Sequence, residues 1–122
     1  MFINLSNHPS SKWSEEQRKA ASIYGEITDV DFPAIDPNAD SETVESIAGE
    51  IADKVMSATG SGEDAVLVQG EFTCVYHIVS ILKEKGIKVV AATTERENVE
   101  ETDVTGATVK RVLFRFVRFR EY

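Results

Sequence analysis

Asp64-Ala-Val-Leu-Val-Gln-Gly-Glu-Phe-Thr73 is the stretch that most limits what this chain can fold into. Ala65 to Val68 is apolar without alternation, and glycines flank it at 60, 62 and 70. So short a run between glycines predicts a strand buried on both faces, as in a parallel sheet. A helical pattern begins immediately after Gln69-Gly70-Glu71-Phe72-Thr73. Strand, glycine and helix start form the turn at which open α/β sheets hold ligands, because backbone N–H groups collect there.

The other segments fit around this turn. Phe2-Ile3-Asn4-Leu5 predicts a first, interior strand, followed by the polar loop Ser6–Ser11, which Pro9 stiffens. A first helix starts near Ser14, where Ser14 and Gln17 fit a capping box and Trp13 stands at the staple position. Its apolar side is Ala20, Ala21, Ile23 and Tyr24, and Gly25 ends it. Ile27–Phe32 alternates as an edge strand does. Pro33 and Pro37 mark a loop over 32–40. Ser41 is the expected N-cap of a second helix carrying Val44, Ile47, Ala48, Ile51, Ala52 and Val55, which Gly60-Ser61-Gly62 closes. A third helix runs from about Thr73 to Lys85 with Val75, Ile78, Val79 and Leu82 inward and Gly86 past its end. Lys88–Thr93 is a fourth strand. The order βαβαβαβ predicts a Rossmann-like α/β fold, an open and mostly parallel sheet with right-handed crossovers. Beyond Thr94-Glu95-Arg96 comes a polar stretch, a Thr105-Gly106 turn and a long strand, Val109–Tyr122, expected to pair antiparallel. Its parity breaks between Phe116 and Val117, which calls for a bulge or a second face buried against a partner.

One domain is expected for 122 residues. The formal net charge of −8 argues against duplex nucleic acid and anionic membrane as partners. Cys74 is the single cysteine, so no intramolecular disulfide can form, and it reads as a packing residue. Without a basic leader or a long apolar stretch at its start, the chain is expected to be soluble and cytoplasmic.

Three polar turns, Ser6–Ser11, Gln69–Thr73 and Thr93–Arg96, should meet at the carboxyl edge of the sheet, where open α/β proteins bind ligands. An imidazole titrates close to neutrality, so His8 is a candidate acid or base; His77 on the third helix is a weaker one. Glu71 and Glu95 could form an acid/base pair, accept from ribose or adenine, or simply cap and pair with Arg96. Arg96 is the candidate phosphate donor. Thr73 could equally be an N-cap, and Ser6 and Asn7 turn formers. The arginines of the last strand read mainly as edge protection. His8 with Glu71 and Glu95 could in principle hold a metal, but no HxxxH, HxH or DxD spacing supports it, so no metal or cofactor is expected. GxGxxG, GxxxxGK[ST] and GxSxG are absent, which disfavours dinucleotide dehydrogenases, P-loop NTPases and α/β-hydrolases.

Met1-Phe-Ile-Asn-Leu-Ser-Asn-His-Pro-Ser, Trp13-Ser-Glu-Glu-Gln, Gln69-Gly-Glu-Phe-Thr, Thr93-Thr-Glu-Arg and Phe116-Val-Arg-Phe-Arg-Glu-Tyr together resemble small single-domain CRISPR-associated proteins of the CARF type, some of which are ring nucleases. The resemblance spans nearly the whole chain. It implies a Rossmann-like homodimer that binds cyclic oligoadenylate at the strand ends. It also implies metal-independent cleavage, in which a ribose 2′-hydroxyl attacks the adjacent phosphorus. Carried onto this chain, Ser6, Asn7 and His8 lie by the phosphates, with Ser10 in the same loop. Gln69, Gly70, Glu71 and Thr73 meet the backbone or ribose, with Thr73 and its helix N-terminus on a phosphate. Thr94 and Arg96 close the site, and His8 or Glu71 is the acid or base. A binding module that does not cut, and a small protein-interaction domain, are the alternatives.

Overall fold

A computed structural model describes residues 1–60 and 62–122. Along the chain lie β1 (Phe2–Ser6), a single 3-10 turn (Ser10–Lys12), α1 (Glu15–Ser22), β2 (Ile27–Asp31), α2 (Ser41–Ala58), β3 (Ala65–Val68), α3 (Phe72–Glu84), β4 (Lys88–Thr102) and β5 (Thr108–Glu121). They build one five-stranded sheet in the order β2-β1-β3-β4-β5. The first four strands are parallel and β5 is antiparallel to β4. The expected α/β architecture is the one present. Every residue of β1 and β3 is buried, which explains their unbroken apolar runs. β2 alternates because it is an edge.

From β1 the chain steps outward to β2, then returns past β1 to β3 and on to β4. Crossovers of one hand then require α1 on one face and α2 with α3 on the other. The two cores match this. Ile3, Leu5, Val66, Val68 and Val89 pack against Val44, Ala48, Ala52 and Val55 of α2 and Cys74, Val75, Ile78 and Leu82 of α3. Phe2, Ala65, Leu67 and Val90 pack against Trp13 and Ala21 on the opposite face, with Tyr24 and Phe119 beside them.

Helix ends follow local chemistry, with two corrections. Ser14 caps α1 as expected, its side chain accepting from Gln17 N–H. Trp13 is a core residue rather than a staple: its ring meets Phe2 edge-on at 6.0 Å. The N-cap of α2 is Asp40, one residue before the expected Ser41, because its carboxylate accepts from Thr43 N–H at 2.8 Å. The expected closure of α2 by Gly60-Ser61-Gly62 lies partly outside the described residues; the helix ends at Ala58. α3 ends in Gly86 at φ +77° with Ile87 N–H bonded to Leu82 O, a Schellman arrangement.

The largest departure concerns β4. Where a polar turn was expected over Thr93–Arg96, the strand runs on to Thr102, 15 residues in all. β4 pairs with β3 only over Lys88–Val90, so the outer half of β4 and most of β5 form a two-stranded ribbon beyond the sheet. Asp103 and Gly106, at φ +83°, turn the ribbon, and the Asp103 carboxylate accepts from Thr105 and Ala107 N–H. Thr93 pairs with Arg118 but Thr94 pairs with Phe116, so Val117 is the bulged residue that the parity break announced.

Candidate functional site

In a sheet ordered 2-1-3-4-5 the chain reverses direction between β1 and β3, and a crevice opens past the ends of those strands. An open cleft of about 970 Å³ lies there, at the upper end of small-ligand sites. Its first wall is the loop after β1, with Ser6, Asn7, His8 and Lys12. Leu67 and Ala92 form the floor, Gln69 and Gly70 the end of β3, and Thr94 with Phe114 and Phe116 of the ribbon the far wall.

The β1 loop owes its shape to one buried amide. Asn4 is 1% exposed, and its side chain has a partner in every direction. Its Nδ2 donates to His8 O at 2.9 Å and to Asp29 Oδ1 at 3.0 Å. Its Oδ1 accepts from Ser6 Oγ at 2.6 Å. His8 O also accepts from Trp13 Nε1 at 3.1 Å, and Ser6 Oγ accepts from His8 N–H at 3.2 Å. A buried amide must satisfy its donors and acceptor or destabilise the fold; meeting that demand fixes the loop and leaves His8 among the residues that line the cleft.

Gln69 spans the gap where β3 has ended: its Oε1 accepts from Ala92 N–H at 3.1 Å. Gly70 follows because nothing larger fits. A Cβ there would stand 2.6 Å from the Phe32 ring.

Of the residues singled out from sequence, Ser6, Asn7, His8, Gln69, Gly70 and Thr94 share this cleft. Ser10, Glu71, Thr73 and Arg96 do not line it. Ser10 is turned to β2, its Oγ donating to Asp29 Oδ2 at 3.1 Å. Arg96 is one strand pair further along the ribbon, opposite Phe114. Glu71, not Thr73, is the N-cap of α3, which begins at Phe72. Its carboxylate accepts from Thr73 N–H at 3.1 Å, Cys74 N–H at 2.8 Å and Thr73 Oγ1 at 2.7 Å. The bond from the Thr73 side chain, then those from the two N–H groups, hold Glu71 below the usual glutamate range. The helix start therefore already carries an anion. Cys74 is fully buried, and burial first, then the Glu71 charge, push its thiol up. That is the opposite of what a reactive thiol needs. His77 lies on α3 against the Tyr76 ring, away from the cleft.

Lys12, Glu16, Phe114 and Phe116 also line the cleft and were not assigned to it from the sequence. Lys12 stands one residue beyond the loop as first bounded. The phenylalanines alternate along β5 like core residues, and only the ribbon's projection past the sheet turns them outward. Among the described residues no three of His, Cys, Asp and Glu stand close enough to share a metal ion. No helix among the described residues is long and apolar enough to cross a membrane.

Fold and site define an open α/β sheet protein with its crevice at the topological switch point. A family model described as the uncharacterized protein MJ1673 family matches residues 1–120, and the chain belongs to that family. No curated protein and no solved structure matches it.

Proposed function

We propose that this protein is a ring nuclease of type III CRISPR defence that binds cyclic oligoadenylate in the switch-point cleft and opens the ring without metal. The observation that carries the reading is the meeting of Ser6, Asn7, His8, Gln69 and Thr94, drawn from three strands, around one open cleft. In the reaction, a ribose 2′-oxygen bonds to phosphorus, the P–O5′ bond breaks, and the proton passes from the 2′-hydroxyl to the departing 5′-oxygen. A 2′,3′-cyclic phosphate results. His8 is the group at the cleft suited to carry that proton. Asn7, Lys12 and the amide NH2 of Gln69 suit the phosphoryl oxygens. Glu71, held anionic by three hydrogen bonds, acts in this reading through α3 rather than as the acid. The protein works as a homodimer. Phe72 and Tyr76, 90% and 69% exposed on successive turns of α3, suit the second copy, and sedimentation of wild type against a Phe72→Asp/Tyr76→Asp variant tests this.

A non-cutting sensor of the same nucleotide is the second reading. The engagement of Glu71 favours it, since that leaves His8 without a carboxylate partner from α3. One experiment separates the two. The pure protein is incubated with cyclic tetra- and hexa-adenylate in EDTA, and the products are resolved by chromatography. Linear products with cyclic phosphate ends support the nuclease, and His8→Ala then slows their appearance at least tenfold. A thermal shift without products supports the sensor. Neither result leaves the cleft without this ligand.

A further inference from the structure

The ribbon wall of the cleft carries an unused aromatic surface. Phe2, Phe119 and Phe116 form a continuous chain of rings, with centroids 4.8 Å apart for the first pair and 4.9 Å for the second. Phe114 is the next residue outward on the same face of β5. It lines the cleft, is 69% exposed, and makes no ring contact among the described residues. Directly opposite it in the strand register is Arg96. The other three cations of the outer ribbon are all engaged: Lys110 with Glu100, Arg111 with Glu101, and Arg115 with Glu97. Among the described residues Arg96 forms no ion pair and no hydrogen bond. A bare aromatic face that lines the cleft and a free guanidinium just outside its lining thus stand side by side on the ribbon, and among the described residues Glu16 is the one carboxylate lining the cleft.

We infer that Phe114 is a base-stacking residue, on whose exposed face a purine of the ligand lies while the adjoining phosphate meets Arg96. The assignment rests on the nucleotide reading of the cleft and adds the part that recognises bases. An aromatic face accepts any base without hydrogen bonding, and each stack contributes enough to be measured by alanine substitution. Guanidinium suits phosphate oxygens. The aromatic face supplies what the polar wall lacks, since hydroxyl, amide and imidazole groups address ribose and phosphate.

The test is equilibrium binding of three probes: cyclic tetra-adenylate, linear tri-adenylate and an abasic tetranucleotide of equal backbone chemistry. Phe114→Ala should weaken both adenylates about ten- to hundredfold and leave the abasic probe unchanged, while Phe114→Tyr should bind like wild type. Arg96→Gln should weaken all three. Equal affinity of Phe114→Ala for the adenylates overturns the assignment, as does an equal loss for the abasic probe. A loss that appears only with a change in sedimentation also overturns it, because a second copy then covers Phe114. If wild type binds adenylates through Phe114 but cuts no ring, the stacking assignment stands and the nuclease reading falls. Cleavage with Phe114 dispensable for binding gives the reverse, and no binding of any adenylate ends both.

Discussion

A carboxylate at position 71 decides what the start of α3 can hold. Free N–H groups at a helix start attract anions, but here Glu71 takes those of Thr73 and Cys74 itself. Because these bonds lower its pKa, the folded state favours the ionised form. The stabilisation is therefore complete above about pH 4.3, the ordinary glutamate value, and is lost as pH falls through the lower folded value. Glu71→Ala should unfold more readily than wild type at neutral pH, and the gap should close in acid, as denaturant titrations at several pH values would register. The sequence offered two capping residues two positions apart, and periodicity could not choose between Glu71 and Thr73. Ser14 was legible because its partner is three residues away. The role of Gly70 was not, since it depends on Phe32 from a distant loop. Gly70→Ala must displace that ring and should cost about 1–3 kcal/mol, measured by chemical denaturation. Phe32→Leu in the same chain should recover part of it.

Elements differ in how openly the sequence declares them. The helices of the core were readable from spacing alone: Val75, Ile78, Val79 and Leu82 face inward as their periodicity required. In α1 the spacing misled, since Ile23 is 80% exposed and Gln17 is buried; a one-sided helix of two turns carries little pattern. Gly49 sits inside α2 with nothing within 4 Å of a built Cβ. Gly49→Ala should therefore stabilise by about 0.5–1 kcal/mol, as a shift in denaturation midpoint. The outer half of β4 read as a loop because both faces of a lone ribbon meet water, and alternation vanishes without a core. A ribbon of two strands has little support of its own. Its amides over 98–102 should exchange with solvent faster than those of Ala65–Val68, although both segments lie in ladders; hydrogen exchange read by NMR would compare them.

For the molecule as a whole, strand order matters more than any one residue. The βαβ alternation implied a parallel sheet, but it could not say that β3 lands beside β1 rather than β2; that choice creates the cleft. The far end of the chain then closes over β3 and β4. Tyr122 N–H bonds to Val89 O at 3.0 Å, its hydroxyl donates to Val68 O at 2.6 Å, and Lys83 Nζ donates to Tyr122 O at 2.6 Å. Tyr122→Phe should lower stability by about 1 kcal/mol, checked by urea denaturation.

Asn4 settles the form of the cleft's first wall. Its amide has no bond left to give, so bonds internal to the fold hold the bend that carries His8. Ordering that bend belongs to folding, so in the proposed function the ligand would meet a wall already standing. Disturbing Asn4 would thus loosen the whole doorway at once, where changing His8 would alter only what happens inside it.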